Sequence, residues 1–246
     1  MLKKFIRKFF SVWGYELKRK AKPPDYLRNQ KMMAGLQRCR RAGLDFNTIV
    51  DVGAAAGTWS MAASEVWTTS AFLLFEPLIE RKQELEILCG RRNGFQFVNA
   101  AAGKMSAEVN FIVTDDLDGS GVASAESRGA NTRIVQVTRL DTEVQTRNLQ
   151  GPYLVKLDTH GFELPILEGC SAILDQTELF IIECYGFQIA DNSLLFWEMC
   201  EHMEGLGYRL FDIVDVMNRP VDGAFWQCDA FFLKKSNPIF REGGYK

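Results

Sequence analysis

Ile49-Val50-Asp51-Val52-Gly53-Ala54-Ala55-Ala56-Gly57-Thr58-Trp59-Ser60 is the stretch on which the reading of this chain turns. A short apolar run reads as a buried strand, the acid near its end marks the strand tip, and two glycines then turn the chain into a helix. Glycine at such a turn lets a ligand approach the backbone closely. The dinucleotide-binding fingerprint spaces its glycines as GxGxxG, whereas this loop reads GxxxG with an acid two positions before the first glycine. Asp51 at the strand tip suits a cationic ammonium, and the missing pyrophosphate cradle counts against a nicotinamide dinucleotide.

Outward from this loop, strand and helix signals alternate. Residues 26–43 read as a helix ending near Gly43, after a break at Lys22-Pro23-Pro24-Asp25. Downstream, Thr58 to about Trp67 is helical, Phe72–Phe75 is a second strand, Ile79–Leu88 a helix and Phe95–Asn99 a third strand. Glu108–Thr114 and Arg133–Thr138 alternate apolar and polar residues as half-buried strands do, around a polar, Gly/Ser-rich loop at Asp115–Asn131. Tyr153–Leu157 and Leu179–Glu183 are buried strands, Glu163–Gly169 and Ser193–Leu206 are helices, and strands near Tyr208–Ile213 and Asp229–Leu233 close the pattern. Such alternation predicts an α/β fold with a mostly parallel sheet and helices on both faces.

Composition agrees. The chain has 246 residues, 47% hydrophobic and 24% charged, which excludes disordered, collagenous and disulfide-scaffold classes. Six cysteines lie at least fourteen residues apart with no CxxC pair, so neither a zinc ribbon nor a thioredoxin-like site is expected, and a reducing cytoplasm is. The net charge of −2 conceals an asymmetry: residues 1–22 hold eight Lys or Arg against Glu16, leaving an acidic remainder. An acidic body lacks the basic face that nucleic-acid binding needs.

A second acid, in Phe72-Leu73-Leu74-Phe75-Glu76-Pro77, stands at the tip of the next strand, twenty-five residues after Asp51. A carboxylate there can accept two hydrogen bonds from a ribose diol. Taken with the first loop, with FVNAAAG after the third strand, Arg139-Leu140-Asp141, and LVKLDTHGFELPILEG at 154–169, it resembles the FkbM family of S-adenosylmethionine-dependent methyltransferases over about residues 48–185. The resemblance implies a class I methyltransferase (Rossmann-like) fold with a seven-stranded sheet, occupying 23–246 as one domain. It also implies that the loop at Asp51, Gly53, Ala54 and Gly57 holds the methionine part of S-adenosyl-L-methionine, that Glu76 holds the ribose beside Pro77, and that Asn99 and Ala100 lie near the adenine. Relatives are associated with O-methylation of sugars in surface glycans and of polyketide hydroxyls.

Asp158-Thr159-His160-Gly161-Phe162-Glu163 follows a buried strand, at the sheet edge where open α/β folds bind ligands, and is expected to face the reacting methyl. Methyl transfer to a hydroxyl needs alignment of acceptor oxygen, methyl and sulfur, together with a base for the hydroxyl proton. Imidazoles titrate near neutral pH, which suits His160 to that task, although many relatives carry Glu or Gln there; Asp158 is the alternative base or acceptor-orienting group. Glu163, in the first turn of the next helix, suits the helix dipole. Asp158, His160 and Glu183 are also a possible oxygen and nitrogen ligand set for a metal, but no spacing motif demands one and none is assigned. Asp115, Asp116 and Asp118 lack the later Glu of a calcium loop and read as part of a solvated, acceptor-facing loop.

Within residues 1–22, Leu2, Phe5, Ile6, Phe9, Phe10, Trp13 and Leu17 fall on one arc of a helix, opposite most of the basic residues. That pattern fits peripheral contact of residues 1–20 with anionic lipid, or a helix covering its own domain or a dimer seam. The expected protein is thus a cytoplasmic enzyme, peripheral at most to the inner face of a bacterial membrane, that O-methylates a sugar, a glycan or another small molecule. Its rivals are a catalytically silent cofactor-binding protein and a nicotinamide-dependent oxidoreductase; oligomeric state is not readable.

Overall fold

A run of β-branched residues interrupted by one acid forms β1 (Thr48–Val52), and all five of its residues are buried. In the computed structural model, which describes residues 25–123, 131–241 and 243, α1 (Asp25–Arg41) precedes this strand. The basic stretch 1–22 lies outside the described residues, as do residues 124–130 of the predicted loop. After β1 come α2 (Thr58–Val66), β2 (Ala71–Phe75), α3 (Ile79–Arg91) and β3 (Phe95–Val98). Four short strands come next: β4 (Ala101–Ala102), β5 (Ala107–Ile112), β6 (Gly121–Val122) and β7 (Thr132–Thr138). The chain continues through α4 (Leu140–Thr146), β8 (Tyr153–Leu157), α5 (Glu163–Glu168), β9 (Thr177–Tyr185), α6 (Phe196–Gly205), β10 (Tyr208–Asn218) and β11 (Phe225–Lys234).

The main sheet has seven strands in the order β10-β11-β9-β8-β1-β2-β3. Neighbours from β3 to β9 pair in parallel, and β11 runs antiparallel to both β9 and β10, so it alone opposes the other six. Alternation along the strands sorts their side chains into two cores. Val50, Leu73, Val155 and Ile182 pack with Leu140, Ile166 and Met203 of α4 to α6. Ile49, Phe72, Leu154 and Ile181 pack with Leu36, Ala63 and Leu85 of α1 to α3. The sheet is therefore covered on both faces, as the alternating signals predict. Each fully buried Leu, Ile or Phe contributes about 1.5–3 kcal/mol, so these cores hold the scaffold.

The two strands predicted from Glu108–Thr114 and Arg133–Thr138 form, but they leave the main sheet and join a second one, β4-β7-β5-β6. Its own core is small: Leu78, Ala101, Phe111, Val113, Val135 and Val137. The closing strands run further than predicted and meet as a hairpin, because cross-strand pairing carries β10 to Asn218. Conversely, the last long helix begins at Phe196, since the Ser193 hydroxyl is used earlier in a turn, accepting from the amides of Ile189 and Ala190. The Arg-Leu-Asp motif opens α4, where Arg139 clamps Asp141 and Asp141 accepts from the amide of Ala172. That motif ties α4 to the segment behind α5.

Candidate active site

From β1 the chain proceeds to β2 on one side, while β8 lies on the other, so the strand order reverses between β1 and β8. A crevice at the carboxyl ends of the strands is expected at such a switch point. It is there: a cleft of about 600 Å³ walled by Gly53, Ala54, Glu76, Pro77, Ala100, Asp158 and His160, all assigned from the sequence. Gly53 makes it possible. It sits at φ +80, and a Cβ there would lie 2.1 Å from the Asp158 carbonyl oxygen. The first loop thus passes directly against the end of β8.

Glu76, only 6% exposed, holds the two loops in register. One carboxylate oxygen accepts from the amide of Ala55 and the other from the amide of Leu78, each at 2.9 Å. Burial pushes its carboxyl up to about 7 against the opposing pull of those amides and of Arg81. Asn99 donates to the Glu76 carbonyl oxygen at 2.9 Å.

Three assigned residues do not wall the cleft: Asp51, Gly57 and Asn99. Asp51 lies fully buried behind the loop, accepting from the Ser60 hydroxyl at 2.7 Å. The ammonium it faces belongs to the protein: Lys156, its register partner on β8, has Nζ 3.5 Å from Asp51 Oδ1. Gly57 serves packing, since a Cβ there would come within 2.5 Å of Leu88 on α3. Asn99 is a brace for β2.

The acidic side of the cleft is largely unannounced by the sequence. Lys156 also reaches Asp158 Oδ2 at 2.9 Å, and Glu183, Asp215 and Asp229 join the wall from β9, β10 and β11. Burial works to lower the Lys156 ammonium, but Asp158, Asp51 and Asp229 outweigh it and hold Lys156 above its ordinary range. Burial alone would raise Asp158, yet Lys156 and His160 hold it well below the carboxylate range. Glu183 shifts the opposite way, raised by burial and then by the charge of Asp158, to which it is hydrogen-bonded. Of this pair, Asp158 is held toward its charged form and Glu183 is pushed toward its protonated form. Tyr185 donates its hydroxyl to Glu183, and Gln227 its amide.

His160 stands at the rim, its side chain 31% exposed and its Nε2 3.7 Å from Glu183 Oε2. Its φ of +55 is left-handed, a conformation that costs a non-glycine residue about 1–3 kcal/mol and recurs at functional sites. Glu163 holds that turn, accepting from the Thr159 hydroxyl at 3.0 Å and the Gly161 amide at 3.1 Å. One ligand atom from each of Asp158, His160 and Glu183 falls within 4.8 Å of the others, a grouping compatible with a cation.

The second sheet closes the cleft from above through Phe111, Leu117, Asp118, Ser120 and Val122. Arg81 on α3 donates to Asp118 at 2.7 Å, and Arg133 on β7 grips Glu80 through both oxygens.

A family model described as the methyltransferase FkbM domain matches residues 51–210, which include the Gly53 loop, Glu76, Asp158, His160 and Glu183 of the cleft wall but not Asp215, Gln227 or Asp229. The chain belongs to the FkbM methyltransferase family. Among solved structures, an FkbM methyltransferase from Methylobacillus flagellatus is similar at 16% identity and TM-score 0.48, over 75% of this chain and 43% of that one. This chain thus spans under half the length of that protein. A 1,6-didemethyltoxoflavin-N1-methyltransferase from Burkholderia thailandensis, with S-adenosylhomocysteine bound, aligns over 95% of this chain and 87% of its own at 13% identity and TM-score 0.49. A magnesium protoporphyrin IX methyltransferase from Synechocystis, with S-adenosylmethionine bound, aligns over 94% of this chain and 96% of its own at 8% identity and TM-score 0.46. No curated protein matches the chain.

The strand order and the family are those of class I methyltransferases, for which the expected cofactor is S-adenosylmethionine. The cleft fits that molecule. The indole N–H of Trp59 and the Nε–H of Arg81 are buried on its wall with no acceptor among the described residues, ready for the acceptor atoms of a ligand. The carboxylates gathered around a single lysine suit a ligand bearing an ammonium and a sulfonium. A nicotinamide-dependent oxidoreductase is set aside.

Proposed function

We propose that this FkbM protein methylates a hydroxyl oxygen of a small acceptor, a sugar or glycan in the first instance. The observation carrying this reading is the imidazole of His160, held in a strained turn at the rim of the cofactor cleft with ionised Asp158 beside it. The cofactor supplies an electrophilic methyl group. Glu76 accepts the ribose hydroxyls and, with Gly53, Ala54, Pro77 and Ala100, fixes the cofactor's position; Asp51, Gly57 and Asn99 support that wall from behind. His160 takes the acceptor's hydroxyl proton onto its ring, and Asp158 stabilises the resulting imidazolium. General-base help of this kind is worth about 10²–10⁴ in rate.

The test is calorimetric titration with S-adenosylhomocysteine and with NAD, followed by transfer of labelled methyl to a glycoside panel. Expected are binding of S-adenosylhomocysteine alone, methyl ether products, and a His160→Ala variant that keeps its affinity but loses about 10²-fold or more in kcat. Products methylated on nitrogen or carbon, or no product from any acceptor, overturn the reading, the latter in favour of a silent binding protein.

We further propose that residues 1–20 bring the enzyme to an anionic membrane surface, where a lipid-linked glycan is presented. The charge pattern of the sequence supports this. No described helix is long and apolar enough to cross a membrane. Deleting residues 1–20 is expected to abolish sedimentation with anionic liposomes while leaving cofactor affinity intact; equal sedimentation of both forms refutes the proposal.

A further inference from the structure

A second cavity of about 430 Å³ adjoins the cofactor cleft, and the two share His160, Val122 and Gln227 as walls. Its remaining lining includes Ile112, Ile189, Tyr185 and Trp226. No Lys, Arg, Asp or Glu side chain is among the described residues that wall it. A phosphate or carboxylate placed there would be desolvated without a countercharge, which is costly. The volume lies toward the lower end of small-molecule sites, about 300–1,000 Å³, so only the reacting ring of a larger molecule fits inside.

One wall is aromatic and braced. Trp226, half-buried, stacks on Phe187 with ring centres 5.8 Å apart and 29° between planes, and meets Tyr185 edge-on at 5.8 Å. The Arg219 guanidinium lies 4.3 Å from the centre of the Phe187 ring, completing a ladder from the surface inward. At its inner end the Tyr185 hydroxyl is donated to Glu183, beside His160. A rigid indole flanked by Ile112, Val122 and Ile189 presents a flat apolar surface with few polar partners, and His160 stands where that surface reaches the cofactor cleft.

The geometry points to this cavity as the acceptor site, seating an uncharged, hydroxyl-bearing ring against Trp226 with the reacting oxygen toward His160. The inference rests on the methyltransferase reading above and specifies its acceptor: a neutral sugar ring of reduced polarity, with any phosphate of a carrier left outside. Neither Trp226 nor Phe187 belongs to the cofactor cleft, so the acceptor wall can be altered independently of cofactor binding.

The test uses the full chain saturated with S-adenosylhomocysteine and three probes read by saturation-transfer NMR: methyl α-D-glucopyranoside, its 6-deoxy analogue, and α-D-glucose 1-phosphate. Expected are binding of both neutral glycosides, the deoxy compound at least as tightly, and exclusion of the phosphate. Trp226→Ala should weaken glycoside binding about tenfold while S-adenosylhomocysteine affinity stays within about twofold, and Trp226→Phe should restore most of it. Preference for the phosphate, glycoside binding indifferent to Trp226→Ala, or no glycoside binding to the cofactor-saturated protein each overturns the inference. Failure of S-adenosylhomocysteine itself to bind the wild-type chain instead overturns the reading on which it rests.

Discussion

The floor and the roof of the cofactor cleft are built by opposite means. The floor is the carboxyl edge of the seven-stranded sheet, where Gly53 touches the Asp158 backbone and Glu76 ties two loops to two carboxylate oxygens. Its strands bury large side chains on both faces. The roof is the second sheet, with a small core and with Arg81–Asp118 and Arg133–Glu80 joining it to α3. Exposed ion pairs contribute about 0–1 kcal/mol each, far less than the burial beneath the floor. The difference teaches that this protein fixes where the cofactor lies through packing and leaves its enclosure to weak, salt-sensitive contacts.

The sharpest way to break that contrast is Gly53→Ala. Its Cβ has no room before the Asp158 carbonyl, and alanine resists the left-handed backbone there. Thermal melting is expected to show a loss of about 2–4 kcal/mol, with cofactor binding abolished. Next in size is Glu76→Ala, which leaves the Ala55 and Leu78 amides without their acceptor and removes the proposed ribose contact. Calorimetry should record a fall in S-adenosylhomocysteine affinity of about 30-fold or more, near 2 kcal/mol.

Glu76 also gives the floor a pH signature. Its carboxyl titrates near 7 in the folded chain, above its value in the unfolded chain. The free protein therefore loses stability as pH rises from the ordinary carboxylate range toward 7. On the proposed ribose contact cofactor binding runs the other way, because the two amides and the ribose hydroxyls would all donate to the ionised form. Affinity should rise about tenfold between pH 6 and pH 8, and Glu76→Gln should flatten that profile. The smallest effect belongs to the roof. Asp118→Asn should speed release of S-adenosylhomocysteine by about two- to fivefold in stopped flow, a difference erased in high salt. A large, salt-independent effect would show that the roof is as firmly fixed as the floor.

Legibility in the sequence divides along the same line. Strand tips announce themselves locally, so a run of apolar residues and the few positions just beyond it suffice to bring Gly53, Glu76, Asp158 and His160 to the cleft. Asp51 carries the same local signal yet does not wall the cleft, for its partner Lys156 lies 105 positions away and only strand pairing brings them together. Asp215, Gln227 and Asp229 arrive through a hairpin whose register no local pattern encodes. The helix at Leu140–Thr146 is too short for a periodic signal. The departure of β5 and β7 from the main sheet is likewise decided by pairing, not by their own alternation.

Trp59 has a further consequence, in the language of light. Its indole forms part of the cofactor wall with the Lys156 ammonium 5.5 Å from the ring centre. Trp226 forms part of the second cavity and not of the first. The two compartments therefore each hold an intrinsic fluorophore. Filling one should shift the emission of Trp59, filling the other that of Trp226, and Trp59→Phe or Trp226→Phe should silence one signal while sparing its neighbour. On the proposed assignment of the two cavities, the protein reports the order in which cofactor and acceptor arrive without any added label.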